Sequence, residues 1–344
     1  MKTSTSKRLR WNVAIWLAAG LFMTSTAGMA SGPILPDPKA EARHQPQVEE
    51  TANGISLVNI TAPSSGGVSR NEYETFNVPD KGAILNNSYT LSKTELAGYV
   101  QGNNNMAERP AKIIVNEVTG AGPTSMDGFL EVAGNRADVV IANPNGITVN
   151  GGGFINTGKA FLTTGKPVYD GEDHLQRFDI TGGDILIEGK GLGGKETGSL
   201  AILSRAVKIN AGIWAKDLHI TTGANTVDAK TLEASAIEGK GGRPAFALDT
   251  AAIGGMYAGR ITLVGTEKGL GVNNSGTWSA EDNLTLDWNG DLKNSGTIYS
   301  KGNTDLRASH LENDKTIAAE RNLSAAAKEN IRNQGKLLAG ENMD

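Results

Sequence analysis

The segments NSGTW (Asn274–Trp278), NSGTI (Asn294–Ile298), NDKTI (Asn313–Ile317) and NQGKL (Asn333–Leu337) begin 20, 19 and 20 residues apart. Five residues beyond the Trp, Ile or Leu of each copy stands a second asparagine: Asn283, Asn303, Asn322 and Asn342. A unit this short cannot enclose a core, so each copy must bury its apolar side chains against the next. A period near 20 is that of a solenoid in which one repeat makes one coil. Leucine-rich repeats have a similar period, but their Leu-x-x-Leu-x-Leu signature is missing. Short β-type runs between polar corners point to a β-solenoid, with a sandwich or open barrel as the competing arrangement. Asn274, Asn294, Asn313 and Asn333 belong at the corners. Asparagine enters the left-handed backbone region at low cost, and stacked amides can hydrogen-bond from coil to coil.

The texture upstream is similar. Short apolar runs recur at Ile55–Ile60, Lys112–Val118, Val139–Ala142, Ile147–Asn150, Asp184–Glu188, Ala201–Ser204, Val207–Asn210 and Leu218–Thr221, punctuated by Gly, Asn and Asp. The i, i+3, i+4 stripe of an amphipathic helix is rare, so the chain reads as all-β. Its 344 residues include 44 glycines and 29 asparagines. There is no G-x-y period, which rules out collagen, and there are too many aliphatic residues for a disordered chain. A net charge of −4 argues against a general nucleic-acid binder. The roughly 210 residues from 55 to 265 would make about ten coils at about 4.8 Å each, with about 19 Å more for the four repeats.

Lys2, Lys7, Arg8 and Arg10 precede an apolar run, Val13–Met23, and a small, polar stretch ends at Ala30. This is the layout of a secretory signal peptide over residues 1–30, cut after Ala30 or Ala27, rather than of a membrane anchor. Its removal takes four positive charges and no acid, moving the net charge from −4 to −8. Residues 31–52 hold four prolines and read as a linker. Cysteine is absent, which excludes a thiol nucleophile, a thiolate-bound metal and a disulfide framework. A chain that must stay threadable gains from having nothing to cross-link.

Gly189–Glu196 (GKGLGGKE) comes close to a phosphate-binding loop, but Glu196 stands where a hydroxyl would hold magnesium. Leu200–Ser204 behind it reads as a strand, whereas that motif opens a helix, so the segment is expected to be a flexible turn. His44, His174, His219 and His310 are far apart and lack ligand spacing; the acidic turn Asp170–His174 reads as a solvated loop rather than a calcium site. Neither a G-x-S-x-G elbow nor H-E-x-x-H is present. No metal or cofactor is expected. The enzyme alternative is a polysaccharide lyase or hydrolase on a parallel β-helix, which needs paired carboxylates or a carboxylate–calcium–arginine cluster on one face.

Three long strings carry a family resemblance: VSRNEYETFNVPDKGAILNNS (Val68–Ser88), AKIIVNEVTGAGPTSMDGFLEVAGNRADVVIANPNGITVNGGGFINTGKAFLTTG (Ala111–Gly165) and FALDTAAIGGMYAGRITLVGTEKGLGVNNSG (Phe246–Gly276). The chain resembles the N-terminal two-partner-secretion domain of filamentous haemagglutinin and contact-dependent growth-inhibition exoproteins over residues 53–269, and residues 270–344 resemble the start of the family's haemagglutinin repeats. The resemblance implies an all-β, right-handed parallel β-helix with an N-terminal cap and small extra-helical β elements. The family's N-P-N-G motif stands intact as Asn143, Pro144, Asn145 and Gly146. Its N-P-N-L motif corresponds to Asn103, Asn104, Asn105 and Met106, where Asn104 replaces proline and Met106 replaces leucine. A C-x-x-C pair found in some members is replaced by Val149 and Gly152.

By the same resemblance, the chain leaves the cytoplasm by the Sec route and crosses the periplasm of a Gram-negative bacterium. It is recognised by a cognate outer-membrane β-barrel transporter with periplasmic modules, and folds at the cell surface. There it presents an adhesin or a growth-inhibition toxin, whose receptor-binding and toxic parts would lie outside this chain; the chain itself is expected not to be an enzyme or to bind nucleic acid. N-P-N-G is also what a tight turn prefers, since proline fixes φ and glycine accepts φ above zero. The two motifs are thus read first as coil corners, and second as recognition elements.

Overall fold

The computed structural model describes residues 33–107 and 109–344; the leader expected over residues 1–30 lies outside them. Parallel strands stack in three ranks, one per side of a coil. The first rank runs Ser56–Asn59, Ala83–Asn87, Phe129–Gly134, Gly152–Ile155, Leu192–Gly194, Gly212–Thr222, Gly255–Gly265, Thr277–Ala280, Thr297–Ser300, Thr316–Ala319 and Lys336–Ala339. The second begins with Val68–Phe76 on Ile113–Val118 and ends with Thr304–Asn313 on Leu323–Asn333. The third begins with Thr124–Met126 on Ile147–Val149 and reaches Leu292–Asn294 on Thr304–Asn313. This is a parallel β-helix.

Alternation along each strand sends apolar side chains inward, as in Leu284–Trp288, where Leu284, Leu286 and Trp288 are buried and Thr285 and Asp287 are exposed. Register then stacks like on like. Ile213, Met256, Trp278, Ile298, Ile317 and Leu337 form one continuous internal ladder. Thr304 stands where its neighbours carry Leu284 and Leu323, and its buried hydroxyl is matched to Ser300 Oγ at 2.8 Å.

Asn274, Asn294, Asn313 and Asn333 are joined by side-chain amide hydrogen bonds from coil to coil. Asn274 Nδ2 donates to Asn294 Oδ1 at 2.8 Å, Asn294 to Asn313 at 2.7 Å, and Asn313 to Asn333 at 2.7 Å. Within a coil, Asn274 Oδ1 also accepts from Gly276 N at 3.1 Å, closing the turn on its own backbone. The glycine of the phrase is needed for close approach, because a Cβ on Gly296 would sit 2.1 Å from the carbonyl oxygen of Gly276 in the coil below. Asn283, Asn303, Asn322 and Asn342 make a second, exposed ladder on another corner.

Two expectations are corrected. Residues 31–52 are not a linker: Ile34–Pro36 pairs antiparallel with Val68–Phe76, and Gln47–Glu50 with Ser56–Asn59. The segment thereby covers strands of the first coil whose opposite edges carry the stack, which protects an edge from pairing elsewhere. Proline is tolerated there because an edge position needs no second ladder donor. Between residues 55 and 265 the first rank contains seven strands, not about ten, because the chain leaves the stack in excursions. One is the hairpin Ser92–Thr94/Gly98–Val100; the others are Lys166–Tyr169, Leu175–Ile180, Asn225–Asp228 and Ala234–Ala236, which together form an antiparallel four-stranded sheet.

That outer sheet makes the second rank apolar on both sides. Val115, Val140, Phe161 and Ala201 lie in register on its outer surface and pack with Phe178, Ile180 and Val227 of the sheet in a second core. The next position in this line is His219, whose Nε2 meets Thr221 Oγ1 at 2.8 Å, followed by Thr262.

Replacing Asn294 with alanine leaves the buried amide of Asn274 without its acceptor and should cost about 1–3 kcal/mol, against less than about 1 kcal/mol for Asn303→Ala on the exposed ladder, read as urea midpoints. A second expectation concerns pH. Burial pushes His219 down to about 4, while the unfolded chain takes up that proton near 6.5. Its contribution is intact above pH 6.5 and is lost as pH falls from there towards 4, by about 1–3 kcal/mol. Buried Glu117, Glu131 and Asp138, whose carboxyls burial raises, act in the opposite sense. Urea midpoints between pH 7 and 4 should therefore fall less steeply in His219→Gln than in the parent.

Candidate functional site

Both asparagine motifs sit where the chain turns a corner, and they share one geometry. In each, the first asparagine is buried and the residue after it is exposed. Asn103 Nδ2 donates to Ile60 O and Asn86 O, both at 2.9 Å, and its Oδ1 accepts from Asn105 N at 3.0 Å. Asn143 Nδ2 donates to Gly122 O and Thr124 Oγ1, both at 3.0 Å, and its Oδ1 accepts from Asn145 N at 2.9 Å. The third residue adds a tie to the same neighbouring backbone: Asn105 Nδ2 to Ile60 O at 3.1 Å, and Asn145 Nδ2 to Gly120 O at 2.8 Å.

The fourth positions differ. Gly146 has φ of 110° and donates its N–H to Asn143 O at 3.1 Å, closing the turn. Met106 ends a 3-10 turn, Asn104–Met106, and buries its side chain in the main core. The two motifs therefore serve different corners, one by a tight turn and one by an apolar plug. Asn104, Pro144 and Asn145 are their exposed residues. The repeat asparagines Asn274, Asn294 and Asn313 are buried in the amide ladder and offer little to a partner.

Sequence reading missed a set of buried charged residues. His44, Glu117, Glu131 and Arg205 are each at most 6% exposed. Glu131 carboxylate oxygens accept from Glu95 N at 2.7 Å and Leu96 N at 2.9 Å, pinning the first hairpin. Arg205 makes a two-pronged pair with Glu267, at 3.0 and 2.9 Å, and donates to Lys240 O at 2.7 Å, pinning the chain that follows the outer sheet. Glu117 and His44 share a cluster with Arg70 and Glu72. Burial raises Glu117 and lowers His44, the latter helped by the nearby Arg70 charge. The signal for these residues was a charge inside a β-run, as in Asn116–Val118 and Ser204–Ala206, which alternation alone cannot separate from an outward side chain.

A cleft of about 310 Å³ opens on the first rank between Phe129 and Trp214, with Gly193 as its floor and Lys195 and Glu196 on its rim. The rings lie on glycine backbone: a Cβ on Gly153 would strike Phe129 at 2.4 Å, and one on Gly212 would strike Trp214 at 2.5 Å. They shield strand backbone that glycine leaves bare. Leu192–Gly194, expected as part of a flexible turn, is a strand of this rank, with a turn on either side of it: Gly189 and Lys190 before, with positive φ at Gly189 and Gly191, and Lys195 and Glu196 after. Asp170–His174 is a turn closed by its own Asp170 carboxylate, at 2.9 Å from both Glu172 N and His174 N. Among the described residues no group of three or more His, Cys, Asp or Glu is placed to hold a metal ion. Neither these residues nor the comparisons below favour the polysaccharide-acting alternative.

A family model described as the TPS secretion domain matches residues 33–299, and one described as the haemagglutinin repeat matches residues 302–344. The chain is 42% identical over 298 residues to Toxin CdiA of Yersinia pestis, covering 80% of this chain and 9% of that protein. It is 42% identical over 292 residues to 16S rRNA endonuclease CdiA of Enterobacter cloacae subsp. cloacae, covering 82% of this chain and 9% of that one. The chain thus spans about a tenth of the length of these curated relatives. The crystal structure of the filamentous hemagglutinin secretion domain superposes with a TM-score of 0.71 at 31% identity, covering 91% of this chain and 99% of that one. A parallel β-helix with satisfied asparagine corners, matched by the family model over more than half of its length, makes this chain a member of the TPS secretion-domain family, with haemagglutinin repeat at its C-terminal end.

Proposed function

We propose that this chain directs a long exoprotein out of the cell: a cognate outer-membrane β-barrel transporter engages it in the periplasm after Sec export, and it winds into its β-helix at the cell surface. The observation that carries this reading is the coil-to-coil dependence of the fold. Parallel ladders and corner amides are satisfied by the neighbouring coil, so closure can pass from the N-terminal end onward as residues emerge. At a typical 0.05–0.15 kcal/mol per residue, a coil of about 20 residues contributes about 1–3 kcal/mol. That biases forward movement by about 5- to 150-fold per coil where no nucleotide is available to drive transport. Given the relatives named as CdiA toxins, the cargo is a growth-inhibition toxin in a region outside this chain, rather than an adhesin.

Within this reading the two asparagine motifs act chiefly by making their corners, and the transporter's dependence on them is indirect. Asn143→Ala removes the donor to Gly122 O and Thr124 Oγ1 and the acceptor of Asn145 N, and should lower stability by about 1–3 kcal/mol and reduce secretion in step. Pro144→Ala changes an exposed residue and should secrete like the parent, with stability lowered by no more than about 0.4–1 kcal/mol, the cost of freeing its φ. Secretion into the medium with and without the transporter is the measurement. Loss of secretion in Pro144→Ala with stability lowered no further than this would show direct reading of the corner; undiminished secretion without the transporter would remove the whole proposal.

A further inference from the structure

The N-terminal cap is held by residues from much later in the chain. Arg43 Nη1 reaches Asp173 Oδ2 at 2.8 Å, and Ser64 Oγ donates to Asp173 O at 3.4 Å. Asp173 and His174 belong to the turn between Lys166–Tyr169 and Leu175–Ile180, and the His174 ring lies against Gly66, where a Cβ would sit 1.9 Å from it. Beneath that hairpin, Glu72 and Glu117 are paired in register on adjacent coils, an arrangement of like charges that opposes stacking. Arg70 Nη2 lies between them, 2.9 Å from Glu72 Oε1 and 3.4 Å from Glu117 Oε2, and the Tyr169 ring covers its guanidinium at 4.4 Å. His44 Nδ1 joins the same Glu72 oxygen at 3.1 Å, and His44 Nε2 faces Asp173 at 4.0 Å.

We propose that the turn and strand carrying Tyr169, Asp173 and His174 are the latch of the N-terminal cap. The segment around Ala42–His44 stays loosely held, and the Arg70–Glu72–Glu117 group stays wetted, until this hairpin closes over them. The partners arrive in the order 43–44, 70–72, 117 and 169–174, so the cap is completed only when about the first 180 residues are available. Stacking of the intervening coils is what brings residue 173 back to residue 43; closing a loop of that length directly would carry a large entropy cost. For export, which rests on the function proposed above, the first irreversible step then spans several coils, whereas later steps add one coil each. The buried ionic group suits this role. Without its cover it is solvated and reversible, and with its cover it becomes costly to reopen.

The latch is tested on the full mature chain refolded in vitro, where no transporter takes part, so its failure is separate from failure of the secretion reading. In pulsed hydrogen exchange during refolding from urea, amides of residues 37–50 should gain protection together with or after those of 166–180. At equilibrium, Asp173→Asn, which keeps a residue tolerant of the positive φ at this position, should speed exchange in residues 37–50 by about three- to tenfold. Tyr169→Ala should do the same, and neither should alter exchange beyond residue 246. Protection of 37–50 before 166–180, or unchanged cap exchange in both variants, would overturn the proposal.

Discussion

Almost everything in this molecule depends on backbone hydrogen bonds that run along the stack instead of within a coil. A coil's three strands do not pair with one another; each pairs with the strand above and the strand below. A side chain at a corner faces the same constraint, and a buried amide without a partner is costly. Asparagine resolves it because one side chain carries both a donor and an acceptor, so identical residues in successive coils satisfy each other. The same logic gives Asn274, Asn294 and Asn313 their ladder and gives Asn103 and Asn143 their carbonyl partners in neighbouring turns.

Local closure between neighbours leaves room for insertions, and the excursions show how they are tolerated. The stack resumes its register after each one, as between Thr157–Thr163 and Ser199–Ser204, which pair although the hairpin Lys166–Ile180 intervenes. An excursion must still be fixed to the stack, and here a buried or half-buried charge from a coil does so. Glu131 serves the first hairpin, Arg205 the chain after the outer sheet, and Arg70 with Glu117 the hairpin that returns to the cap. Charged groups suit these joints because they fix direction through hydrogen bonds where an apolar contact would slide.

Legibility in the sequence followed periodicity. The repeat phrases displayed the coil, its corners and its amide ladder directly, because every copy has the same environment. The upstream coils carry the same physics without a fixed period, since Ser88–Lys112 and Thr164–Gly183 interrupt them, so the strands could be read but the number of coils was overestimated. Proline density in residues 31–52 suggested a linker because composition cannot distinguish an unpaired chain from an edge strand that lacks donors on one side. The motif asparagines lie where the chain turns. Their partners, such as Gly122 and Ile60, are backbone carbonyls and leave no trace in the sequence. The ionic joints were invisible for a related reason: Arg43 and Asp173 are 130 residues apart, and only the stacked coils make them neighbours.

A coil in this stack draws part of its stability from the one that follows it. At the N-terminal end the antiparallel strands of residues 34–50 cover the first coil, and Ile34 is 1% exposed. Ile331 stacks in register on Leu311; Leu311 lies between two described coils and is fully buried, whereas Ile331 has a described coil on one side only and is 45% exposed. Roughly half of the burial at this inner position therefore comes from the coil above, and at about 1.5–3 kcal/mol for a fully buried aliphatic side chain that is about 1 kcal/mol per ladder position. Each coil thus receives part of its stability only after the following one has closed. A stack built this way is weakest at its newest coil and strongest behind it, so fluctuations that reopen the chain are confined to the growing end.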